Sequence, residues 1–165
     1  MRLILDMINA WGGLRASMSR QIAANPREAK LLAYAMLAGV LGFVARVPGA
    51  LLQDRQSDDF APILWSLFVS GVFFAPLFFY LIAALSALAL RFFGRKVAYR
   101  DMRLALFWAL LVSTPILFAT TLAALPLAQA GGGILQVVRI AGLLFFAYVW
   151  WCMVTVVVAR KYQSD

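Results

Sequence analysis

The chain has 165 residues, 64% of them hydrophobic and 13% charged, where about a quarter charged is ordinary for a soluble domain. Uncharged runs of 31 residues (Phe60–Leu90) and 35 residues (Leu104–Val138) far exceed the roughly 18 that mark a membrane span, which excludes a small water-soluble fold. The net charge of +8 raises nucleic-acid binding only to dismiss it. The basic residues stand beside apolar runs, no aromatic–basic RNA motif occurs, and attraction to anionic lipid headgroups accounts for the same excess.

The pattern predicts an all-α fold: a polytopic membrane helical bundle of about four transmembrane helices, led by an amphipathic interfacial helix over residues 1–24. In that first segment Ile4, Met7, Ile8, Trp11, Leu14, Met18 and Ile22 follow steps of three and four, with Arg2 and Arg20 opposite. A basic amphipathic helix with a Trp on its apolar side suits the membrane interface. Arg15 falls on the apolar side. The Gly12-Gly13 pair weakens the helix by about 1 kcal/mol per Gly, and a bend there would swing Arg15 towards the headgroups. Packing against the bundle is the open alternative. Asp6 interrupts the short apolar start, so no signal peptide is expected.

Residues 25–165 form the membrane domain. In "NPRE", Asn25 is placed to cap a helix, Pro26 suits its first position, and Glu28 favours its positive end. The first span is predicted over about 30–52, with Arg46 snorkelling to the interface and Pro48 kinking or ending the helix. An acidic connection carrying Asp54, Asp58 and Asp59 follows. The second span, about 62–90, is over-long: Phe60–Leu90 as a helix would reach about 46 Å against roughly 30 Å of hydrocarbon. It must tilt, project or bend at Pro76. The third span (about 104–127) contains Pro115, a glycine-rich hairpin spans Ala128–Gly133, and the fourth span covers about 136–159.

Four spans put both chain ends on one side. That side collects the N-terminal segment (Arg15 and Arg20 among its cations), the tail, and the 91–103 loop with Arg91, Arg95, Lys96, Arg100 and Arg103. Together these hold twelve of the fifteen basic residues. Short loops rich in Lys and Arg stay in the cytoplasm, so both termini are expected there. The basic residues are read as topology or lipid-headgroup anchors.

Catalytic groups are scarce. Histidine is absent, and the apolar runs hold no Asp or Glu, which disfavours proton-coupled transport. No phosphate-binding loop, nucleophile elbow or zinc-protease motif occurs. No metal, cofactor or enzymatic activity is expected. One Cys, Cys152, leaves no intramolecular disulfide. The acidic loop as an Mg²⁺ site, and the Phe73, Phe74, Phe78, Phe79 and Tyr148–Cys152 aromatics as a lipid or pigment pocket, stand as alternatives to solvated loop charge and ordinary packing.

Small residues offer the better clue. Ala35/Gly39, Ala38/Gly42 and Ala83/Ala87 have the four-residue spacing that lets membrane helices approach closely. They serve either internal helix packing or a partner face. Ser70, Ser113, Thr114, Thr120 and Thr121 are expected to bond backbone carbonyls, and Ser113 and Thr114 to re-satisfy the carbonyl freed by Pro115.

The "NPREAK" start, the stretch "FGRKVAYRDMRLALFWALLVSTPI" (93–116) and the final "FFAYVWW", over about residues 25–158, resemble the Yip-domain membrane proteins in their bacterial form. A glycine-containing loop leading into a helix that reaches a proline is the shared layout, carried here by Gly94, Tyr99, Asp101 and Pro115. That family is described with five spans; this chain has four. The resemblance implies a bacterial inner membrane and a non-catalytic bundle working through protein or lipid contacts. The leading expectation is an accessory, assembly or scaffold component. Its partners would be membrane lipids and another membrane protein or complex, with no nucleic acid. A small transporter or oligomeric channel, and a lipid-handling enzyme, are the alternatives.

Overall fold

A computed structural model describes residues 2–53, 60–95, 97–127 and 132–162. Its elements are α1 (Arg2–Trp11), α2 (Leu14–Ala23), α3 (Glu28–Gln53), α4 (Phe60–Val69), a π-helical turn (Ser70–Phe74), α5 (Ala75–Phe92), α6 (Tyr99–Leu127) and α7 (Gly132–Tyr162). Among the described residues there is no strand. Four helical segments are long and apolar enough to cross a membrane: Glu28–Leu51, Ala61–Phe92, Tyr99–Ala123 and Gln136–Arg160. The protein is a multi-pass membrane protein with an all-α bundle.

The N-terminal segment is two helices, broken at Gly12-Gly13. Its packed face follows the expected stripe at Met7, Leu14, Met18 and Ile22, which pack against the core, and departs from it at two positions. Ala10, Ser17, Met18, Gln21 and Ile22 are buried, whereas Ile8 and Trp11 are exposed. α2 lies against α6 and α7, and α1 against α2 and α6.

The start of α3 departs from the expected cap. Asn25 takes a left-handed backbone (φ 46°), which Asn tolerates better than most residues. The N–H groups of Lys30 and Leu31 both donate to the Arg27 carbonyl. Arg27 thus takes the capping place, and Glu28, not Pro26, is the first helical residue. Pro48 does not end the helix, which runs to Gln53.

Pro76 leaves a clearer mark. The Ala75 N–H bonds the Ser70 carbonyl five residues back; the next donor in that register would be Pro76, which has no N–H. The helix widens to a π turn there, a recognised way of re-aiming a long helix. The Gly71 carbonyl, left without that donor, faces α3.

α6 is the hub, packed against α3, α5 and α7 and touched by α1 and α2. Leu104 through Ser113 are all buried. An amphipathic helix buries one stripe; burial around the whole circumference requires neighbours on every side.

Candidate functional site

The polar groups of the described residues gather where α2 and the α2–α3 connection meet the first half of α6. The Trp108 indole N–H donates to Ser17 Oγ at 2.9 Å, with both residues buried. Buried Trp usually finds such a partner. The Tyr34 hydroxyl donates to Gln21 Oε1 at 3.4 Å, and its ring lies 5.6 Å from that of Trp108. α2 is therefore held by two buried side-chain bonds, one to α6 and one to α3.

A second layer is ionic. Arg100 donates to Asn25 Oδ1 at 2.5 Å and to the Pro26 carbonyl. The left-handed turn at Asn25 thus presents a two-acceptor fork to one guanidinium. Arg103 pairs with Glu28 at 2.6 Å and lies 5.6 Å from the Tyr80 ring. Arg103 Nε is buried with no hydrogen-bond partner. The half-buried guanidinium joins α3, α5 and α6 at one point.

The expected anchors therefore separate. Arg100 and Arg103 serve internal contacts. Arg91 donates from Nε to the Val97 carbonyl at 3.2 Å and stacks over Tyr99 at 4.3 Å. Arg15, Arg20 and Arg95 are exposed. Lys96 and the acidic loop Asp54, Asp58 and Asp59 lie outside the described residues.

The chain matches no family model, no curated protein and no solved structure. Whatever the site does must be read from its own geometry.

The small residues divide in the same way. Ala35, Ala83 and Ala87 are fully buried, and Gly39 meets the π turn so closely that a Cβ there would sit 2.4 Å from the Gly71 carbonyl oxygen. This is the carbonyl that Pro76 cannot serve in the π register. Ala38 is half-buried, while a Cβ at Gly42 would meet nothing. Two contacts escaped the sequence reading. Gly71 forms a small pair with Ala75 at the same four-residue spacing, a signal that was available. Gly142, whose Cβ would lie 3.3 Å from Leu117 Cδ2, has no small residue four away on either side.

The hydroxyls bond within their helices as expected: Ser70 and both Thr120 and Thr121 to Leu67 and Leu117 carbonyls respectively. Ser113 and Thr114 bond the carbonyls of Ala109 and Leu110. Pro115 denies an N–H to Leu111, four residues back, so the expected rescue of that carbonyl does not occur.

The aromatic candidates face outward. Phe73, Phe74 and Phe78 are exposed and Phe79 is half-buried. Phe74 and Phe78 line an open apolar groove of about 720 Å³ together with Ser70, Leu77, Tyr80 and Leu81. Tyr148 and Trp151 are exposed on α7; Trp150 Nε1 is buried without a partner. Cys152 is a buried free thiol. Among the described residues no three His, Cys, Asp or Glu side chains gather to hold a metal.

Proposed function

We propose that this protein is a non-catalytic accessory, assembly or scaffold component of a membrane, working through helix and lipid contacts within a larger membrane complex. One observation carries the reading. The polar side chains that converge on α6 are engaged in holding α2, α3 and α5 to it, whereas the outer sides of α3, α5 and α7 present exposed apolar faces. The chemistry present is that of assembly, and the surface available is that of contact.

The resemblance of residues 25–158 to bacterial Yip-domain proteins supports the same reading and an inner-membrane location. The twelve-to-three distribution of basic residues supports cytoplasmic termini.

The test is extraction in a mild detergent, native electrophoresis, and mass spectrometry of what migrates with the protein. A stoichiometric larger membrane complex is expected. Migration as a lone monomer or homo-oligomer would overturn the accessory role.

A further inference from the structure

The end of the second span carries a feature that internal packing does not use. α5 closes with Phe92, and the chain turns back at Gly94, whose φ of +76° lies in the left-handed region that favours glycine. The Arg95 N–H reaches the Leu90 carbonyl and the Gly94 N–H the Arg91 carbonyl, the paired bonds of a helix stop built on a left-handed glycine. Arg91 fastens the turn from its far side through the Val97 carbonyl and the Tyr99 ring. The turn is thus held at both ends.

It presents Phe92 and Phe93 outward, 88% and 77% exposed, edge to face at 6.0 Å. Two adjacent phenyl rings held in the open carry a large hydration cost that only a covering apolar phase removes. Their chemical surroundings select that phase. Arg91 and Arg95, both exposed, stand on either side of the rings in the chain, and no acidic residue occurs from Phe60 to Arg100. Their depth agrees: the 32-residue segment Ala61–Phe92 reaches about 48 Å as a helix, near the roughly 40–45 Å of a bilayer with its headgroups. Phe92 then falls at headgroup level.

We infer that the 91–95 turn is an anionic-phospholipid anchor. Phe92 and Phe93 enter the boundary between headgroups and acyl chains, and the flanking cations meet lipid phosphates. Basic and aromatic residues combined in this way bind an anionic leaflet through both terms at once.

Two measurements on the full-length protein test this. In the first, Phe93→Cys on a Cys152→Ala background carries an environment-sensitive fluorophore, in vesicles of phosphatidylcholine with or without phosphatidylglycerol. The probe should be quenched by lipid-borne nitroxide and shielded from aqueous iodide, more so with phosphatidylglycerol and less so as salt rises. In the second, native mass spectrometry of the otherwise unaltered chain should show phosphatidylglycerol retained over phosphatidylcholine. Arg95→Gln should lower that preference about fivefold, the factor equivalent to one basic side chain at an anionic leaflet; Phe92→Ser with Phe93→Ser should lower retention of both lipids. A probe open to iodide in both vesicle types, or shielding and retention indifferent to phosphatidylglycerol, overturns the anchor. So does a probe open in vesicles but shielded in native membranes, which would assign the rings to a protein. The result is independent of the accessory role, because the vesicles hold no other protein. Orientation does not enter, because both leaflets share one composition.

Discussion

The second and third spans invert a familiar relation. Ala61–Phe92 is the most apolar of the four, with a mean hydropathy of 2.2, and only 22% of its best window is buried; Tyr99–Ala123, at 1.8, is 56% buried. In water the greasier helix would go inside. In lipid the acyl chains are as apolar as any leucine, so burial follows close approach and polar partners instead. α6 has both: Ala105 and Ala109 among its buried residues, Trp108 bonded to Ser17, Arg100 tied to the α2–α3 connection and Arg103 to the first residue of α3. α5 faces the bundle with Ala83 and Ala87 and turns Leu77, Leu81, Leu85 and Leu88 outward.

The contrast can be broken most directly at Trp108. Trp108→Ala opens a cavity on the enclosed helix and should cost about 3 kcal/mol or more, measured as loss of resistance to denaturant in detergent. A cost below about 1 kcal/mol would mean that the surroundings of α6 collapse freely.

Gly39→Ala comes next. Its new methyl overlaps the Gly71 carbonyl, so α3 and the π turn must separate, at about 1–3 kcal/mol. Gly42→Ala, on the same helix with open space around it, is the matched control and should be close to neutral. Equal effects at the two glycines would remove the close crossing from consideration.

Ser17→Ala leaves the Trp108 N–H buried without a partner, at about 1–2 kcal/mol. Hydrogen exchange of α2 should rise more than that of α7, since α2 loses its bond to α6. Glu28→Gln removes one partner of a partly exposed ion pair, 27% and 54% accessible on the two sides, and should cost no more than about 1 kcal/mol, less in high salt. Smallest of all, Leu85→Ala on the outer face of α5 should stay within about 0.5 kcal/mol. A larger effect would show that this face packs against something.

Much of the fold was legible because membrane spans are written in long uncharged runs, and bilayer thickness sets their length. An irregularity at Pro76 was legible because proline lacks a donor; its form as a π turn was not, since a carbonyl's alternative depends on what lies opposite. Asn25 shows the limit well. By itself it is a good capping residue, yet its side chain accepts from Arg100, 75 positions away, and the cap passes to Arg27. Arg100 and Arg103 read as anchors because charge density beside an apolar run looks the same whether the cations meet lipid or a neighbouring helix. Ser17 gave no signal at all: a lone hydroxyl on a short amphipathic helix acquires meaning only when an indole from a distant span is brought to it.

The sequence by itself determined the solvent, the number of crossings, their approximate ends and the lopsided placement of charge. These depend on transfer between water and hydrocarbon, which each segment undergoes independently. The tertiary structure decided which crossing is central, which glycine is a contact and which arginines are bound internally. Between helices in lipid no hydrophobic gradient sorts one apolar face from another, and the choice falls to steric fit and single polar partners that no local pattern encodes.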